Sequence, residues 1–253
     1  MVTASEPRSA YLHVPFCAHR CGYCNFAITA GRDDLQPTYL LAIERELAAL
    51  GHPRPVDTLY FGGGTPTQLS LDNLDRLCRT ALRWFSLAAG YEWTVEANPL
   101  DITPEIVDLL RGHGVNRVSL GGQSFSRTKL AALERDHPPQ QVEAAVLRLK
   151  DSGIAVALDL IFAAPNESLR EWQADVEAAV RLGPQHLSTY GLTIEKGTSF
   201  WSRRDKAALE EVDEETQRTM YLHVVDALSS EGFEHYEVSN FARVGCRSRH
   251  NEA

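Results

Sequence analysis

Three cysteines, Cys17, Cys21 and Cys24, lie near the start of the chain with the spacing C-x3-C-x2-C. Three thiolates can hold three irons of a [4Fe–4S] cube and leave the fourth iron without a protein ligand. Clusters that only transfer electrons usually have four cysteine ligands. Because an open iron can bind a further molecule, the spacing predicts a reactive cluster more than a sealed structural site.

Two other chemistries remain open for these cysteines. Structural zinc is usually closed by four Cys or His ligands in paired spacings, and His13 or His19 would have to supply the fourth ligand because no second pair follows. A disulfide is the weaker alternative, since the chain has five cysteines, an odd number, and its first residues lack the apolar core of a secretory signal. We therefore expect a reducing, cytoplasmic location, with Cys78 as a packed core thiol and no assigned role for Cys246.

The composition is that of a globular protein with one large domain or two small ones. Of the 253 residues, 43% are hydrophobic and 23% are charged, and the formal net charge is −9. No run of 18 apolar residues is present, so we predict no membrane-spanning segment. The acidic balance, with no basic cluster longer than Arg243–Arg249, argues against a nucleic-acid surface and against attraction to anionic lipids.

Apolar stretches alternate with amphipathic helical patterns along most of the chain. The six predicted strands are Ala10–Val14, Val56–Phe61, Tyr91–Glu96, Val115–Leu120, Ile154–Phe162 and His186–Leu192. The predicted helices begin near Pro37, Ser70, Thr103, Pro138, Ser168 and Asp213. Such alternation implies a parallel sheet with right-handed crossovers.

Residues that could do chemistry lie at the C-terminal ends of the predicted strands. From the first strand to the sixth, they are the cysteine loop, the run Gly62–Thr67, Glu96, Gln123, Asp159 and Tyr190. In a barrel these ends converge on one mouth, whereas an open sheet spreads them along an edge. We therefore predict an α/β fold, a partial (β/α)6 barrel of parallel strands.

Polar residues at these strand ends could each bind part of a small ligand. The run Gly62–Thr67 is not a P-loop, because no lysine follows, and its three glycines let backbone groups approach a ligand closely. Asp159 interrupts an apolar strand, which is costly unless the charge is paired. Glu96 could bind an ammonium group or cap the following loop, and Arg135 alone could be an ordinary surface arginine.

The whole set of motifs resembles the radical S-adenosylmethionine (SAM) superfamily, and within it the group of oxygen-independent coproporphyrinogen oxidases and their relatives. The segments that carry the resemblance are Tyr11–Cys24, Phe61–Thr67, Glu96–Pro99, Gly114–Phe125, Asp159–Ile161, Tyr236–Phe241 and Ser248–Asn251. The resemblance implies that the three cysteines ligate a [4Fe–4S] cluster whose open iron chelates SAM. It also implies an electron donor such as flavodoxin or ferredoxin, which reduces the cluster so that SAM is cleaved to methionine and a 5′-deoxyadenosyl radical.

The resemblance further implies which residues hold the amino-acid end of SAM. Gly63, Gly64 and Thr65 would contact its amino group together with Glu96. Arg135 would pair with its carboxylate.

The nucleoside end of SAM has its own implied contacts. Gln123 and Asp159 would hydrogen-bond the ribose, and Tyr23 would lie against the adenine. Tyr11 and His13 would shape the surroundings of the cluster loop. The cofactor supplies the radical chemistry, so no protein side chain is assigned as a catalytic residue.

Two features favour the heme chaperone branch of this group, the HemW type, whose pattern is C-x3-C-x2-C-[DN]-F. Phe26 stands where the pattern of the decarboxylating branch has a further cysteine, and only sixteen residues precede Cys17. The resemblance to the chaperone branch implies heme as a further ligand and heme-acceptor proteins as partners. The alternative is a radical SAM enzyme that oxidatively decarboxylates coproporphyrinogen III to protoporphyrinogen IX.

The end of the chain predicts a boundary between two regions. Heme chaperones of this branch carry H-N-x-x-Y-W after the basic loop, whereas here Glu252-Ala253 follows His250-Asn251. We expect the barrel domain to cover residues 1–240 and a truncated C-terminal region to begin over residues 241–253. His250 could be a heme ligand or a solvated residue of the tail.

Overall fold

A computed structural model describes residues 7–253, so residues 1–6, which begin the predicted barrel domain, lie outside the described residues. The strands of the described chain are β1 Ser9–Val14, β2 Phe16–Cys17, β3 Thr29–Ala30, β4 Arg54–Gly63, β5 Phe85–Ala97, β6 Arg117–Gln123, β7 Ala155–Phe162, β8 His186–Gly191, β9 Glu234–Glu237 and β10 Asn240–Ala242. Its α-helices are α1 Gln36–Ala48, α2 Leu71–Trp84, α3 Pro104–His113, α4 Arg127–Ala132, α5 Pro139–Asp151, α6 Leu169–Leu182, α7 Ser199–Asp205 and α8 Glu214–Ser230.

One eight-stranded sheet organises the molecule, in the order β1-β4-β5-β6-β7-β8-β10-β9. The first six of these strands run parallel, and β10 and β9 extend the sheet in antiparallel fashion. Within the described residues β1 and β9 are the two edges, so the barrel stays open on one side. The prediction of an α/β partial barrel with six parallel strands is confirmed.

The two faces of the sheet differ in polarity because successive residues of a strand point to opposite sides. The outer face packs against the helices through fully buried side chains such as Leu59, Phe61, Trp93 and Val95. The inner face, called the lumen from here on, carries the polar residues of the same strands, among them Thr58, Tyr60, Glu92 and Glu96. Polar groups that the sequence places between apolar residues of β4 and β5 therefore share one enclosed space.

The six longer helices begin within one residue of their predicted starts. Side chains cap four of them, as the residue types require: Ser70, Thr103, Ser168 and Asp213 each accept a hydrogen bond from a backbone N–H three residues on. The capping box predicted for α6 is present. No helix within residues 7–253 is long and apolar enough to cross a lipid bilayer.

The packing of α2 confirms that Cys78 is a core thiol. Its side chain is fully buried with Leu74 and Leu77 on the face that meets the sheet. Burial raises the pKa of the Cys78 thiol to about 12, so it remains protonated at neutral pH.

The structure also corrects the sequence-based elements. Strand β5 begins at Phe85, six positions before the predicted Tyr91, because its first residues pair with Arg54–Val56 before the register shifts. The sequence patterns do not predict the helices α4 and α7 or the strands β2, β3, β9 and β10, since each is too short for a clear periodicity. The boundary expected after residue 240 stays a prediction; residues 240 and 241 both belong to β10, which pairs with β8.

A buried ion cluster joins the loops that follow β6 and β7. Lys129 of α4 is 4% exposed, and its Nζ lies 2.5 Å from Glu167 Oε1 and 2.9 Å from Asp175 Oδ2. Asp175 also accepts hydrogen bonds from Ser124 Oγ and from the Phe125 backbone N–H, both at 2.7 Å. The lysine thus neutralises buried carboxylates that anchor the C-terminal ends of two central strands.

Replacing the buried lysine should destabilise the fold strongly. Lys129→Ala leaves Glu167 and Asp175 buried without a cation, and breaking a buried pair in this way costs about 3–5 kcal/mol. The matched control is Arg218→Ala, which removes an exposed ion pair with Glu215 and should cost less than about 1 kcal/mol. Urea unfolding of the two variants measures the difference, and equal losses of unfolding free energy would contradict the prediction.

Candidate functional site

The C-terminal ends of the parallel strands surround one pocket of about 470 Å³. The residues singled out by the sequence that line it are Cys17, Cys21, Tyr23, Cys24, Gly63, Gly64, Thr65, Glu96, Gln123, Arg135, Asp159 and Tyr190. Tyr11 lies against Tyr60 in the lumen, with ring centroids 5.6 Å apart, and the His13 ring lies beside Gly63. The fold therefore brings residues from separate strand ends together around one space.

Hydrogen bonds to backbone carbonyl oxygens of the cysteine loop fix its shape. The guanidinium of Arg20 donates hydrogen bonds to the carbonyl oxygens of Cys24, Phe26 and Ile28 at 3.3, 3.2 and 2.7 Å. The Cys24 N–H also donates to the Cys21 carbonyl at 3.0 Å, which closes a turn between the second and third cysteines. These bonds fix the loop so that all three cysteines line the pocket.

The thiols have hydrogen-bonding neighbours that favour thiolates. Arg135 Nη1 donates to Cys21 Sγ at 3.6 Å, and Thr65 Oγ1 lies 3.6 Å from Cys17 Sγ. Burial raises the pKa of the Cys17 thiol, and the Thr65 hydroxyl acts in the opposite direction. Cationic iron would offset the cost of thiolates in this half-buried place, so the donor set fits a [4Fe–4S] cluster.

Both histidines considered as a fourth zinc ligand face backbone carbonyl oxygens, although His19 Nε2 also lies 3.6 Å from Cys21 Sγ. The Nε2 atoms of His13 and His19 lie 2.7 Å from the carbonyl oxygens of Ala27 and Glu134. In residues 7–253, no three His, Cys, Asp or Glu side chains are gathered as a single metal ion requires.

The carboxylate of Glu96 is held by two donors at the end of β5. Tyr60 Oη donates to Oε1 at 2.8 Å, and the Gly63 N–H donates to Oε2 at 3.0 Å. Burial nevertheless raises the pKa of Glu96 to about 7, and repulsion from Asp159 acts in the same direction. A carboxylate in this state gains from a further donor, which an amino group entering the pocket would supply.

The glycine run packs directly on the cysteine loop. A Cβ on Gly64 would lie 2.7 Å from the Phe16 carbonyl oxygen, and one on Gly63 would overlap the His13 ring. The Gly64 and Thr65 N–H groups donate to the carbonyls of Val14 and Phe16 at 2.8 and 2.7 Å. The glycines therefore serve contact between two loops of the protein, beside any contact with a ligand.

Asp159 lies in the lumen with hydroxyl groups as its partners. Ser119 Oγ lies 3.1 and 3.3 Å from its two carboxylate oxygens. Burial raises the pKa of Asp159 to about 6, while hydrogen bonds from Ser188 and Ser119 and the charge of Arg117 act against this rise. The expectation that a buried Asp159 needs partners is met by neighbouring strands, and its carboxylate keeps capacity for a ligand hydroxyl.

The loop at residues 133–137 clamps the cysteine loop to the end of β6. Arg135 Nη2 donates to the Gly121 carbonyl at 3.2 Å, and His137 Nε2 lies 3.0 Å from the Gly122 carbonyl. Within the described residues, Arg135 Nε is buried without a hydrogen-bond partner. The guanidinium thus ties Cys21 to the end of β6 in the lining of the pocket.

Gln123 adopts a backbone conformation that is uncommon for a residue with a side chain. Its φ angle is +62°, and the register between β6 and β7 shifts at this point. Left-handed residues of this kind cluster at binding sites, where the surrounding structure stabilises them. The shift ends the regular strand and leaves Gln123 in the lining of the pocket.

Sequence reasoning missed two side chains that hold the site from within the lumen. Tyr60 supports Glu96, and Ser119 supports Asp159. The alternation of side chains along a strand could have identified them, because residues two positions apart lie on the same face of the sheet. Tyr60 lies two residues before Gly62 in β4 and therefore shares its face.

The sequence of this chain is similar to one protein family and to proteins of several bacteria. A sequence profile of the Radical SAM superfamily matches residues 11–179. The chain is 37% identical to heme chaperone HemW of Lactococcus lactis over 247 residues, covering 97% of this chain and 65% of that protein. It is 41% identical to HemW of Mycobacterium tuberculosis over 253 residues, again covering 97% and 65%. The chain thus spans slightly less than two thirds of these relatives.

A solved structure shares the fold over nearly the whole chain. Coproporphyrinogen III oxidase (HemN) from Escherichia coli, described as a radical SAM enzyme, superposes with a TM-score of 0.85 at 26% sequence identity. The match covers 94% of this chain and 56% of that one.

Adding one methyl group at Gly63 should cost more than adding it at another glycine with positive φ. Gly63 has φ +110° and no room beside His13, whereas Gly90 has φ +70° and no atom within 4 Å of where an added methyl carbon would lie. Gly90→Ala should lower the free energy of unfolding by about 1–2 kcal/mol through backbone strain alone. Gly63→Ala adds overpacking and should lower it by about 2–4 kcal/mol. Denaturant unfolding measures both, and equal losses would show that the two loops are not tightly packed.

Proposed function

The chain belongs to the radical SAM superfamily, and on that premise we propose that Cys17, Cys21 and Cys24 ligate a [4Fe–4S] cluster whose open iron binds SAM. The observation that carries the proposal is the convergence of three thiols, the Glu96 carboxylate and the Arg135 guanidinium on one pocket. When bound, the reduced cluster would supply the electron for cleavage of SAM. The protein contributes the shape and polarity of the pocket.

The chain's own groups can orient SAM along the pocket. Glu96 would accept a hydrogen bond from the amino group, while Arg135, which lines the same pocket, would pair with the carboxylate. Asp159 and Gln123 would bind the ribose hydroxyls, and Tyr23 would lie against the adenine. Burial keeps the pKa of the Tyr23 hydroxyl well above its usual range, so its ring is a neutral surface at neutral pH.

We further propose that the protein is a heme chaperone, which binds heme and passes it to acceptor proteins. Similarity to proteins named HemW supports this function. Phe26 is 70% exposed and lines the pocket at its edge, where an exposed aromatic ring offers contact to a flat apolar macrocycle. A cytoplasmic location, where cysteines stay reduced, forms part of this proposal.

The size of the pocket supports a heme site outside it. A volume of about 470 Å³ is in the range that holds one small ligand, and a cluster with SAM would occupy it. A macrocycle would therefore lie across the rim, against Phe26, while SAM lies below. This arrangement separates the proposed heme site from the proposed SAM site.

The alternative function is oxidative decarboxylation of coproporphyrinogen III. The fold match to HemN supports it, as does a pocket in which each implied SAM contact has a side chain in place. An electron donor such as flavodoxin or ferredoxin would serve either function.

Removing the charge of Glu96 should weaken SAM binding and flatten its pH dependence. Because the pKa of Glu96 lies at about 7, the wild-type carboxyl ionises as the pH rises, and SAM affinity should increase between about pH 6 and about pH 8. Glu96→Gln should bind SAM about 10- to 100-fold more weakly at the upper end of this range, since hydrogen bonds to charged groups are strong.

Calorimetric titration of anaerobically reconstituted protein measures this effect. The control is Glu105→Gln, an exposed carboxylate on α3, which should leave the affinity unchanged. Parallel pH profiles for wild type and Glu96→Gln would exclude Glu96 as the amino-group ligand.

Heme chaperone and decarboxylase can be separated in one anaerobic experiment. Reduced, cluster-loaded protein receives SAM with either coproporphyrinogen III or heme. Mass spectrometry quantifies 5′-deoxyadenosine and decarboxylated product, and absorption spectroscopy follows heme binding and its transfer to a heme-free globin. We expect heme binding and transfer without decarboxylated product, and product formed in step with 5′-deoxyadenosine would overturn the chaperone proposal.

Two sets of variants complete the experiment. Cys21→Ala should lose the cluster and with it any cleavage of SAM. Phe26→Ala should weaken heme binding by about 5- to 20-fold, because a large aromatic contact is lost. Val244→Ala removes an apolar side chain that is 78% exposed and does not line the pocket, and it should leave heme binding unchanged.

A further inference from the structure

A turn at residues 248–251 closes the end of the lumen opposite the pocket. Ser248 is 1% exposed, and its Oγ accepts a hydrogen bond from the Asn251 N–H at 3.4 Å. The backbone N–H groups of Arg249 and His250 donate to the two carboxylate oxygens of Glu92, each at 3.2 Å. Glu92 is 8% exposed, so a buried carboxylate of β5 fixes the position of this turn.

The side chain of His250 enters the lumen and packs on two tyrosines. Its ring lies 4.9 Å from that of Tyr60 and 6.2 Å from that of Tyr11, with interplanar angles of 28° and 27°. Its Nδ1 lies 2.9 Å from Thr58 Oγ1, and Thr58 is 2% exposed. These contacts hold the imidazole in one place, so His250 is not a solvated residue of the tail.

Tyr60 connects His250 to the pocket. One face of its ring carries the imidazole, and its hydroxyl donates to Glu96 Oε1 at 2.8 Å. The other carboxylate oxygen of Glu96 accepts from the Gly63 N–H, which belongs to the glycine loop. Direct contacts therefore run from the turn at residues 248–251 to the carboxylate at the base of the pocket.

We propose that His250 is a positioning residue for the amino-group site of SAM. By stacking on Tyr60, it keeps the phenol hydroxyl against Glu96 and so keeps the carboxylate aimed into the pocket. This inference rests on the proposed binding of SAM at Glu96. His250 does not line the pocket, so it is remote from a heme bound at the rim beside Phe26.

Loss of the hydrogen bond from Tyr60 to Glu96 should shift the pKa of Glu96 upwards. The hydrogen bond from Tyr60 lowers the pKa of Glu96, against the larger effect of burial. Without it the carboxyl ionises at higher pH, so the rise in SAM affinity with pH should move upwards. The titratable groups that face Glu96 are Tyr11 from β1, Tyr60 from β4, Asp159 from β7 and Tyr190 from β8, and Arg117 from β6 faces Tyr60.

The test compares SAM affinity against pH in reconstituted wild type and three histidine variants. His250→Ala should weaken SAM binding about 3- to 10-fold near neutral pH and move the midpoint of the pH profile upwards by about 0.5–1 unit. His250→Phe retains a ring to stack on Tyr60 and should restore the wild-type midpoint. The matched control is His235→Ala, whose ring stacks on Phe241 at 4.4 Å and which should not move the midpoint.

A double-mutant cycle with Tyr60→Phe decides whether His250 acts through the tyrosine. Tyr60→Phe alone should move the midpoint as His250→Ala does, and the two changes together should move it no further. If His250→Ala fails to assemble, His250→Leu fills the space without stacking and serves in its place.

The possible failures can be told apart. A midpoint and an affinity equal to wild type in both His250→Ala and His250→Leu would overturn the inference. Additive shifts in the double variant would equally show that His250 does not act through Tyr60. If wild type itself binds no SAM, or binds it no better than Glu96→Gln, the proposed function fails instead.

Discussion

The pocket depends on acidic groups that are buried with hydroxyl and N–H donors as their hydrogen-bond partners. Burying a charge is costly unless it is paired, yet Glu96 and Asp159 are met by a phenol, serine hydroxyls and a backbone N–H. Burial raises the pKa of Glu96 to about 7 and that of Asp159 to about 6. Burial thus disfavours the charged forms of both carboxyl groups, and a ligand with amino and hydroxyl groups would stabilise those charged forms.

The surrounding structure offsets this cost by anchoring each loop of the pocket more than once. Lys129 ties the ends of β6 and β7 together, and the glycine run is bonded to the cysteine loop. A second, smaller apolar cluster with the fully buried Leu133 and Phe200 lies beneath the cysteine loop. The Phe200 N–H donates to the Gly22 carbonyl at 2.9 Å, so α7 supports the loop from below. Rigid support of this kind holds the polar groups of the pocket at fixed positions before a ligand binds.

Local periodicity and the order of the strands are the features of the fold that the sequence predicts. The strands and longer helices follow from alternating and amphipathic patterns, and the placement of Cys17, Glu96 and Asp159 at one mouth follows from the common direction of parallel strands. Contacts between distant residues leave no such local signal. Thr58 and His250 are separated by 192 positions, and their contact forms because a turn after the last strand folds back onto β4.

The two ends of the lumen therefore have different roles in the function we propose. At the mouth, an exposed Phe26 borders the space in which the cluster and SAM would lie, so the rim is the part that can be adapted to a macrocycle without disturbing the polar groups below. At the closed end, the turn at residues 248–251 packs on Tyr60, and Tyr60 holds Glu96. In that proposal, a substitution at the rim would affect the macrocycle, while a substitution in the turn would reach the carboxylate proposed to bind the amino group of SAM. In the function we propose, Tyr60 links the turn to Glu96 while Phe26 borders the rim, so substitutions at the two ends should affect SAM binding and heme binding separately.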